Sequence, residues 1–172
     1  AWALAFLAVG FTEEYLFRGY LLVTLSGSNI GFWGAAAILS IVFGALHLGN
    51  GGEDAMGALS AGLIGLFLCY TWRRSGSLWF AVGLHSSWDY CESFVFGVPD
   101  SGAVSAGRLL SPRFHGSRWI TGGSVGPEGS VWVLVIIALL FAAFVRWGPR
   151  KGAATASAIA FPNWPGEPGS AS

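Results

Sequence analysis

Three charged residues interrupt the first apolar stretch of the chain. Glu13, Glu14 and Arg18 lie in segment 1–25, which otherwise consists mostly of Ala, Leu, Phe and Val. A charge at the depth of a bilayer is expensive unless it is paired or hydrated. Glu14 and Arg18 are four positions apart and would face each other on a helix, whereas Glu13 would point about 100° away. The spacing predicts a structural Glu14–Arg18 ion pair and leaves Glu13 free for chemistry; the alternative is that all three charges only hold helices together.

Two other apolar segments also contain ionisable residues. His47 lies near the end of the second, while His85 and Asp89 lie four positions apart in the fourth and share a helix face. Each alone could be a buried packing residue. Burying these residues and Glu13 costs least free energy if their side chains converge on one polar cavity. The pattern therefore predicts such a cavity. Glu92, one turn beyond Asp89 and nearer the segment end, is predicted to be interfacial.

The composition indicates a membrane protein. Of 172 residues, 53% are hydrophobic and only 10% are charged, whereas soluble domains carry about 25% charged residues. The net charge of zero gives no support for a nucleic-acid partner. Cys69 and Cys91 show no metal or disulfide spacing. Because Ala1 already lies within an apolar run, we expect the core to be truncated at its N-terminus.

Five apolar segments approach the roughly 20 residues that a membrane-spanning helix needs. They cover 1–25, 31–49, 55–72, 78–98 and 131–147. We therefore predict an all-α, multi-pass transmembrane bundle with about five spanning helices, embedded in the lipid bilayer of a cell membrane. The bundle would occupy residues 1–150, and the Gly-, Ala-, Ser- and Pro-rich residues 151–172 would form a disordered tail.

Three motifs, in order along the chain, resemble those of the CPBP intramembrane proteases. This family includes the CAAX prenyl endopeptidases and bacteriocin-processing or immunity proteins of the Abi type. The motifs are Glu13-Glu14-x-x-x-Arg18, Phe43-x-x-x-His47 and His85-x-x-x-Asp89, and the segments Gly76-Ser-Leu-Trp79 and Thr121-Gly-Gly-Ser-Val-Gly-Pro-Glu128 are similar to bacterial members. The resemblance covers residues 10–145 and implies the plasma membrane of a bacterium or an archaeon.

The resemblance implies an endopeptidase that needs no cofactor and acts on a peptide or protein, which could be prenylated. Glu13 would be the general base, His47 would orient the attacking water, and His85 with Asp89 would stabilise the tetrahedral intermediate. Many family members have Asn at the position of Asp89. Because an ionised Asp cannot donate a hydrogen bond, Asp89 must be protonated or must instead orient His85.

Other functions use the same residue types. A zinc-dependent membrane metalloprotease could use Glu13, His47 and His85 as ligands, since catalytic zinc needs only three protein ligands and an open position. The chain lacks a His-Glu-x-x-His motif, and no Cys joins this set. A proton-coupled transporter would also contain intramembrane Glu and His. A non-catalytic immunity factor could retain the fold without activity.

Overall fold

A computed structural model describes residues 1–148, and the predicted tail, 151–172, lies outside the described residues. Within 1–148 the regular structure is helical, with an isolated bridge between Asp100 and Ala103 and no strand. The all-α prediction is confirmed for this part of the chain.

The first three apolar segments each form helix. The first comprises α1 (Trp2–Glu14), a π-helical segment (Tyr15–Leu21) and α2 (Leu22–Ser26), which follow one another without a break. The second forms α3 (Gly31–His47) and the third α4 (Ala55–Ser75). Local sequence explains why α4 is well defined at both ends. The Asp54 side chain caps its first turn, and Gly76 ends it in the left-handed conformation.

The second half contains two long helices and a folded connection. The fourth segment forms α5 (Trp79–Asp89), which continues into a second π-helical segment (Tyr90–Phe96). The connection that follows includes the short helix α6 (Arg118–Thr121) and a 3₁₀ turn (Pro127–Gly129). The last apolar segment forms α7 (Val131–Trp147).

The length of the helices bears on the membrane prediction. Among the described residues, α4 is the one helix that is long and apolar enough to cross a bilayer. The helices α3 and α7 are apolar but have 17 residues each. The multi-pass arrangement with about five spans therefore stays a prediction.

Glycines allow the main helix pairs to approach closely. The helices α3 and α4 pack where Gly44 faces the backbone of Ala58, and a methyl group at position 44 would overlap with that carbonyl oxygen. The helices α1 and α5 pack where Gly10 faces Ser86, and a methyl group at position 10 would overlap with the Ser86 hydroxyl. The second contact brings the helix of Glu13 and Glu14 against the helix of His85.

We expect Gly10→Ala to destabilise the protein by about 1–3 kcal/mol, which is typical of an overpacked core. The added methyl group would also lie 3.0 Å from the Ser86 backbone nitrogen, which cannot rotate away. Gly83→Ala on α5 is the matched control, because no atom lies within 4 Å of the added methyl group there. Thermal unfolding of the purified protein in detergent measures both variants. Equal melting temperatures would show that the α1–α5 contact does not depend on Gly10.

Candidate active site

Glu14 and Arg18 form a buried ion pair where α1 passes into its π-helical segment. The Nη1 atom of Arg18 lies 2.7 Å from Oε1 of Glu14, and the two residues are 1% and 0% exposed. The guanidinium group also lies 4.5 Å from the centre of the Phe43 ring, a cation–π contact. A methyl group at Gly65 on α4 would lie 2.8 Å from Nη2 of Arg18. Arg18 is thus enclosed by α3 and α4 as well as by its own helix.

The same Glu14 oxygen also contacts a histidine on another helix. Nδ1 of His85 lies 2.8 Å from Oε1 of Glu14. An ionised carboxylate can only accept hydrogen bonds, so Nδ1 of His85 carries a proton and donates it. Sequence spacing linked Glu14 to Arg18 alone, because it reports on neighbours within one helix and not on contacts between helices. Glu14 therefore joins the ion pair to the predicted catalytic residues.

The other ring nitrogen of His85 faces two further carboxylates. Its Nε2 atom lies 3.5 Å from Oδ2 of Asp89 and 3.7 Å from Oε2 of Glu13. Glu13 has 38% of its side chain exposed, and no hydrogen bond to it is formed by the residues that the structure describes. Glu13 is therefore the freer of the two adjacent carboxylates.

His47 is oriented by its own helix. Its Nδ1 atom lies 2.8 Å from the carbonyl oxygen of Phe43, one turn earlier in α3. Because a carbonyl oxygen only accepts, Nδ1 is the donor, and in the neutral ring Nε2 remains free to accept a hydrogen bond. The spacing of Phe43 and His47 that drew attention in the sequence is thus a side-chain to backbone contact.

All four predicted catalytic side chains line one cavity of about 190 Å³. Glu13, His47, His85 and Asp89 reach it from α1, α3 and α5. Other walls of the cavity are apolar and come mainly from α1, α4 and α7. They include Phe6, Val9, Ile64, Leu68, Val133, Ile137 and Leu140. The arrangement places a few polar groups in an otherwise apolar pocket, as is usual for sites that bind small molecules or side chains.

Both helices that carry these carboxylates change geometry directly after them. The π-helical segment Tyr15–Leu21 follows Glu14, and the segment Tyr90–Phe96 follows Asp89. Such wide turns are rare in proteins and are frequent at functional sites. Apolar periodicity does not distinguish them from α-helix, so the sequence did not predict them.

A second group of three carboxylates lies beside the cavity, and two of them, Asp100 and Glu128, line it. Glu92, Asp100 and Glu128 bring ligand atoms within 4.8 Å of one another. The interfacial position predicted for Glu92 stays a prediction, but the protein itself encloses the residue, which is only 7% exposed. The connection after the second π-helical segment folds back over it and brings Asp100 and Glu128 against it. Burial and the nearby Glu128 carboxylate raise the pKa of Asp100 above its usual range.

Glu128 is held by three hydrogen bonds. The indole Nε1 of Trp88 donates to its Oε1 at 3.2 Å, and the backbone N–H and hydroxyl of Ser101 donate to its Oε2 at 2.8 and 2.7 Å. Glu128 thus connects α5, the loop that contains Ser101 and the turn before α7. The sequence drew attention to the Thr121–Glu128 segment but assigned Glu128 no role, and nothing in the pattern indicated Asp100.

The alternative zinc ligands do not form a comparable group. Glu13, His47 and His85 all line the cavity, but within residues 1–148 they are not brought together as three ligand atoms within 4.8 Å of one another. The set that meets this distance consists of Glu92, Asp100 and Glu128, which offers oxygen ligands only. The imidazole ligands that suit zinc therefore do not converge with Glu13 on one point.

A helical protein with two histidines and a partly exposed carboxylate around a cavity has the groups that hydrolysis by an activated water requires. The chain belongs to the Rce1-like family of type II CAAX prenyl endopeptidases, whose sequence model matches residues 1–91. The resemblance seen in the three motifs is thereby confirmed, and the family is one of membrane-embedded proteases. The match includes the predicted site residues and ends before Asp100 and Glu128. No curated protein and no solved structure matches the chain.

We expect Arg18→Ala to cost about 3–5 kcal/mol of stability, since it leaves the buried Glu14 carboxylate without its cation. Arg118→Ala is the control. Arg118 forms an ion pair with Asp54 at 2.9 Å, but its side chain is 63% exposed, and such pairs contribute about 1 kcal/mol or less. Folded yield and thermal unfolding in detergent measure both. Similar losses in the two variants would contradict a special role for the buried pair.

The double variant Glu14→Leu, Arg18→Met separates folding from function. Replacing both partners with apolar side chains is often neutral for stability, so folded yield should recover relative to Arg18→Ala alone. The folded double variant should be inactive, because His85 would lack the Glu14 carboxylate that accepts from its Nδ1. An active double variant would show that Glu14 serves Arg18 only.

Proposed function

We propose that the protein is a multi-pass intramembrane endopeptidase of a cell membrane that hydrolyses a peptide bond with a water activated by Glu13. The observation that supports this best is the single cavity lined by Glu13, His47, His85 and Asp89 from three separate helices. Family membership supports a protease and a peptide or protein substrate.

In this mechanism Glu13 and His47 act on the water. Glu13 has the properties of a general base, because it lines the cavity and receives no hydrogen bond from the described residues that would hold its charge. His47 has its Nδ1–H directed at the Phe43 carbonyl oxygen. Its Nε2 is then available to accept a hydrogen bond from the same water and to orient it for attack.

His85 stabilises the oxyanion. Its Nδ1–H is directed at Glu14, so the group available to the oxyanion is Nε2. Asp89, with Oδ2 at 3.5 Å from Nε2, is well placed to favour a proton there. Asp89 therefore supports the reaction through His85 rather than by donating a hydrogen bond to the oxyanion itself.

The protons and electrons balance without a further reactant. Glu13 takes one proton from the water while the oxygen attacks the peptide carbonyl carbon, and the carbonyl π electrons move onto the oxygen that His85 stabilises. When the oxyanion collapses, the C–N bond breaks and the proton on Glu13 passes to the leaving nitrogen. The products are a carboxylic acid and an amine, which become a carboxylate and an ammonium group when the acid passes its proton to the amine.

We extend the proposal to CAAX-type processing near the C-terminus of the substrate. The family supports this substrate class. The apolar walls formed by residues such as Val9, Leu68 and Ile137 would suit an apolar side chain or a prenyl group next to the scissile bond.

The test of the base is Glu13→Gln. We expect the rate of peptide cleavage to fall by about two to four orders of magnitude, the usual contribution of a general base, while folded yield stays unchanged. Glu53→Gln is the matched control, because Glu53 does not line the cavity. Cleavage of a prenylated CAAX peptide and of its unprenylated form by purified protein gives both the rate and the substrate preference. Full activity of Glu13→Gln would remove Glu13 from the mechanism.

The test against the zinc alternative is removal of zinc. We expect full cleavage activity after treatment with a zinc-selective chelator. The buffer contains calcium, so that the treatment does not remove cations bound by oxygen ligands. If zinc lowered the pKa of the attacking water, its removal would abolish activity. Stoichiometric zinc in the purified protein, together with activity that disappears on removal and returns on addition, would replace the glutamate mechanism with the metal one.

A further inference from the structure

The carboxylates of Glu92, Asp100 and Glu128 have no ion-pair partner in the described part of the chain. Within residues 1–148, no arginine or histidine lies within salt-bridge distance of any of them. The groups that donate hydrogen bonds to Asp100 and Glu128 are neutral: the Ser93 hydroxyl, the Trp88 indole, and the Ser101 hydroxyl and backbone N–H. Three carboxylates this close cannot all remain ionised without a cation between them.

Glu92 supplies a second and separate indication of a ligand. It is only 7% exposed, and its Oε2 atom is buried without a hydrogen-bond partner. Its carboxylate faces Asp100 and Glu128, since a ligand atom of each lies within 4.8 Å of the others. A buried acceptor without a donor is costly in a folded protein and calls for an explanation.

We propose that Glu92, Asp100 and Glu128 bind a hard divalent cation, with calcium as the best fit. The ligand set contains only oxygen, which favours calcium, magnesium or manganese over zinc. Calcium accepts several carboxylates in a flexible geometry, whereas magnesium usually keeps several waters and takes one or two carboxylates. Three carboxylates whose ligand atoms lie within 4.8 Å of one another therefore favour calcium. Water would complete the coordination.

Such a cation would join three separate parts of the chain. Glu92 lies on the π-helical extension of α5, Asp100 in the loop that follows, and Glu128 in the turn before α7. Asp100 and Glu128 also line the cavity. The cation would therefore hold the segment between the second π-helical segment and α7 in place as a wall of that cavity. This site is separate from the proposed catalytic residues, and the inference does not rest on the proposed function.

Terbium luminescence tests the site directly, with terbium as the probe for calcium. The Trp88 indole is hydrogen-bonded to Glu128 and would transfer excitation to a terbium ion bound there. We expect saturable emission from purified protein in detergent on excitation of tryptophan, with displacement by calcium at lower concentration than by magnesium. Glu92→Gln, Asp100→Asn and Glu128→Gln should each weaken binding at least about tenfold, because calcium affinity depends on the number of charged ligands.

Two control variants locate the ion. Glu53→Gln should bind terbium like the original protein, because Glu53 is not one of the three ligands. Glu13→Gln should also bind normally even though we expect it to be inactive, which keeps failure of this proposal distinct from failure of the proposed function. Loss of binding in Glu13→Gln with retention in Asp100→Asn would place the ion among the catalytic residues and overturn the proposal.

Thermal unfolding adds a readout that does not depend on luminescence. In a calcium chelator Glu92→Gln and Asp100→Asn should melt at a higher temperature than the original protein, because one repelling charge is gone. Glu128→Gln is left out of this comparison, because both oxygens of Glu128 accept hydrogen bonds. In calcium the order should reverse, because only the original protein gains the full stabilisation by bound ion. Unfolding that calcium does not change, or emission that is equal in all variants, would overturn the proposal and leave protons shared among the carboxylates as the explanation.

Discussion

The structure depends on one buried carboxylate that serves two partners. Oε1 of Glu14 accepts from Arg18 on its own helix and from His85 on α5, at 2.7 and 2.8 Å. The first contact offsets the cost of burying two charges, and the second orients a ring that faces the cavity. Neither contact can be lost without leaving a buried polar group unsatisfied. The packing of α1 on α5 and the geometry of the candidate site are therefore held by the same group.

This arrangement separates the roles of two adjacent glutamates. Glu14 accepts two hydrogen bonds at one oxygen, from Arg18 and from His85, and is fully enclosed. Glu13 is turned toward the cavity and lies 3.7 Å from the nearest nitrogen of His85. A general base needs a lone pair that a water molecule can reach. Of the two glutamates, Glu13 is the one that has such a lone pair. The helix turns its neighbouring positions toward different surroundings, which is how one short motif supports both packing and chemistry.

Spacing within single helices predicted much of the candidate site, and packing between helices supplied the rest. The facing positions of Glu14 with Arg18 and of His85 with Asp89 follow from helical geometry. The contact of Glu14 with His85 depends on the Gly10–Ser86 approach of α1 to α5, which no local pattern reports. The burial of Glu92 was missed because distance from a segment end indicates exposure only where no loop folds back. The catalytic roles themselves remain predictions.

The described residues combine an apolar surface with enclosed charges. Large apolar side chains such as Leu4, Ile41 and Leu139 are mostly exposed, while Glu14 and Arg18 are enclosed. In a lipid environment the outer face needs no polar groups, and each polar group inside must find its partners within the protein. When these groups surround one cavity, each carboxylate or histidine lowers the free energy needed to bury its neighbour. The apolar surroundings also strengthen the electrostatic interactions of the enclosed Glu14 and Arg18, because burial lowers the local dielectric constant.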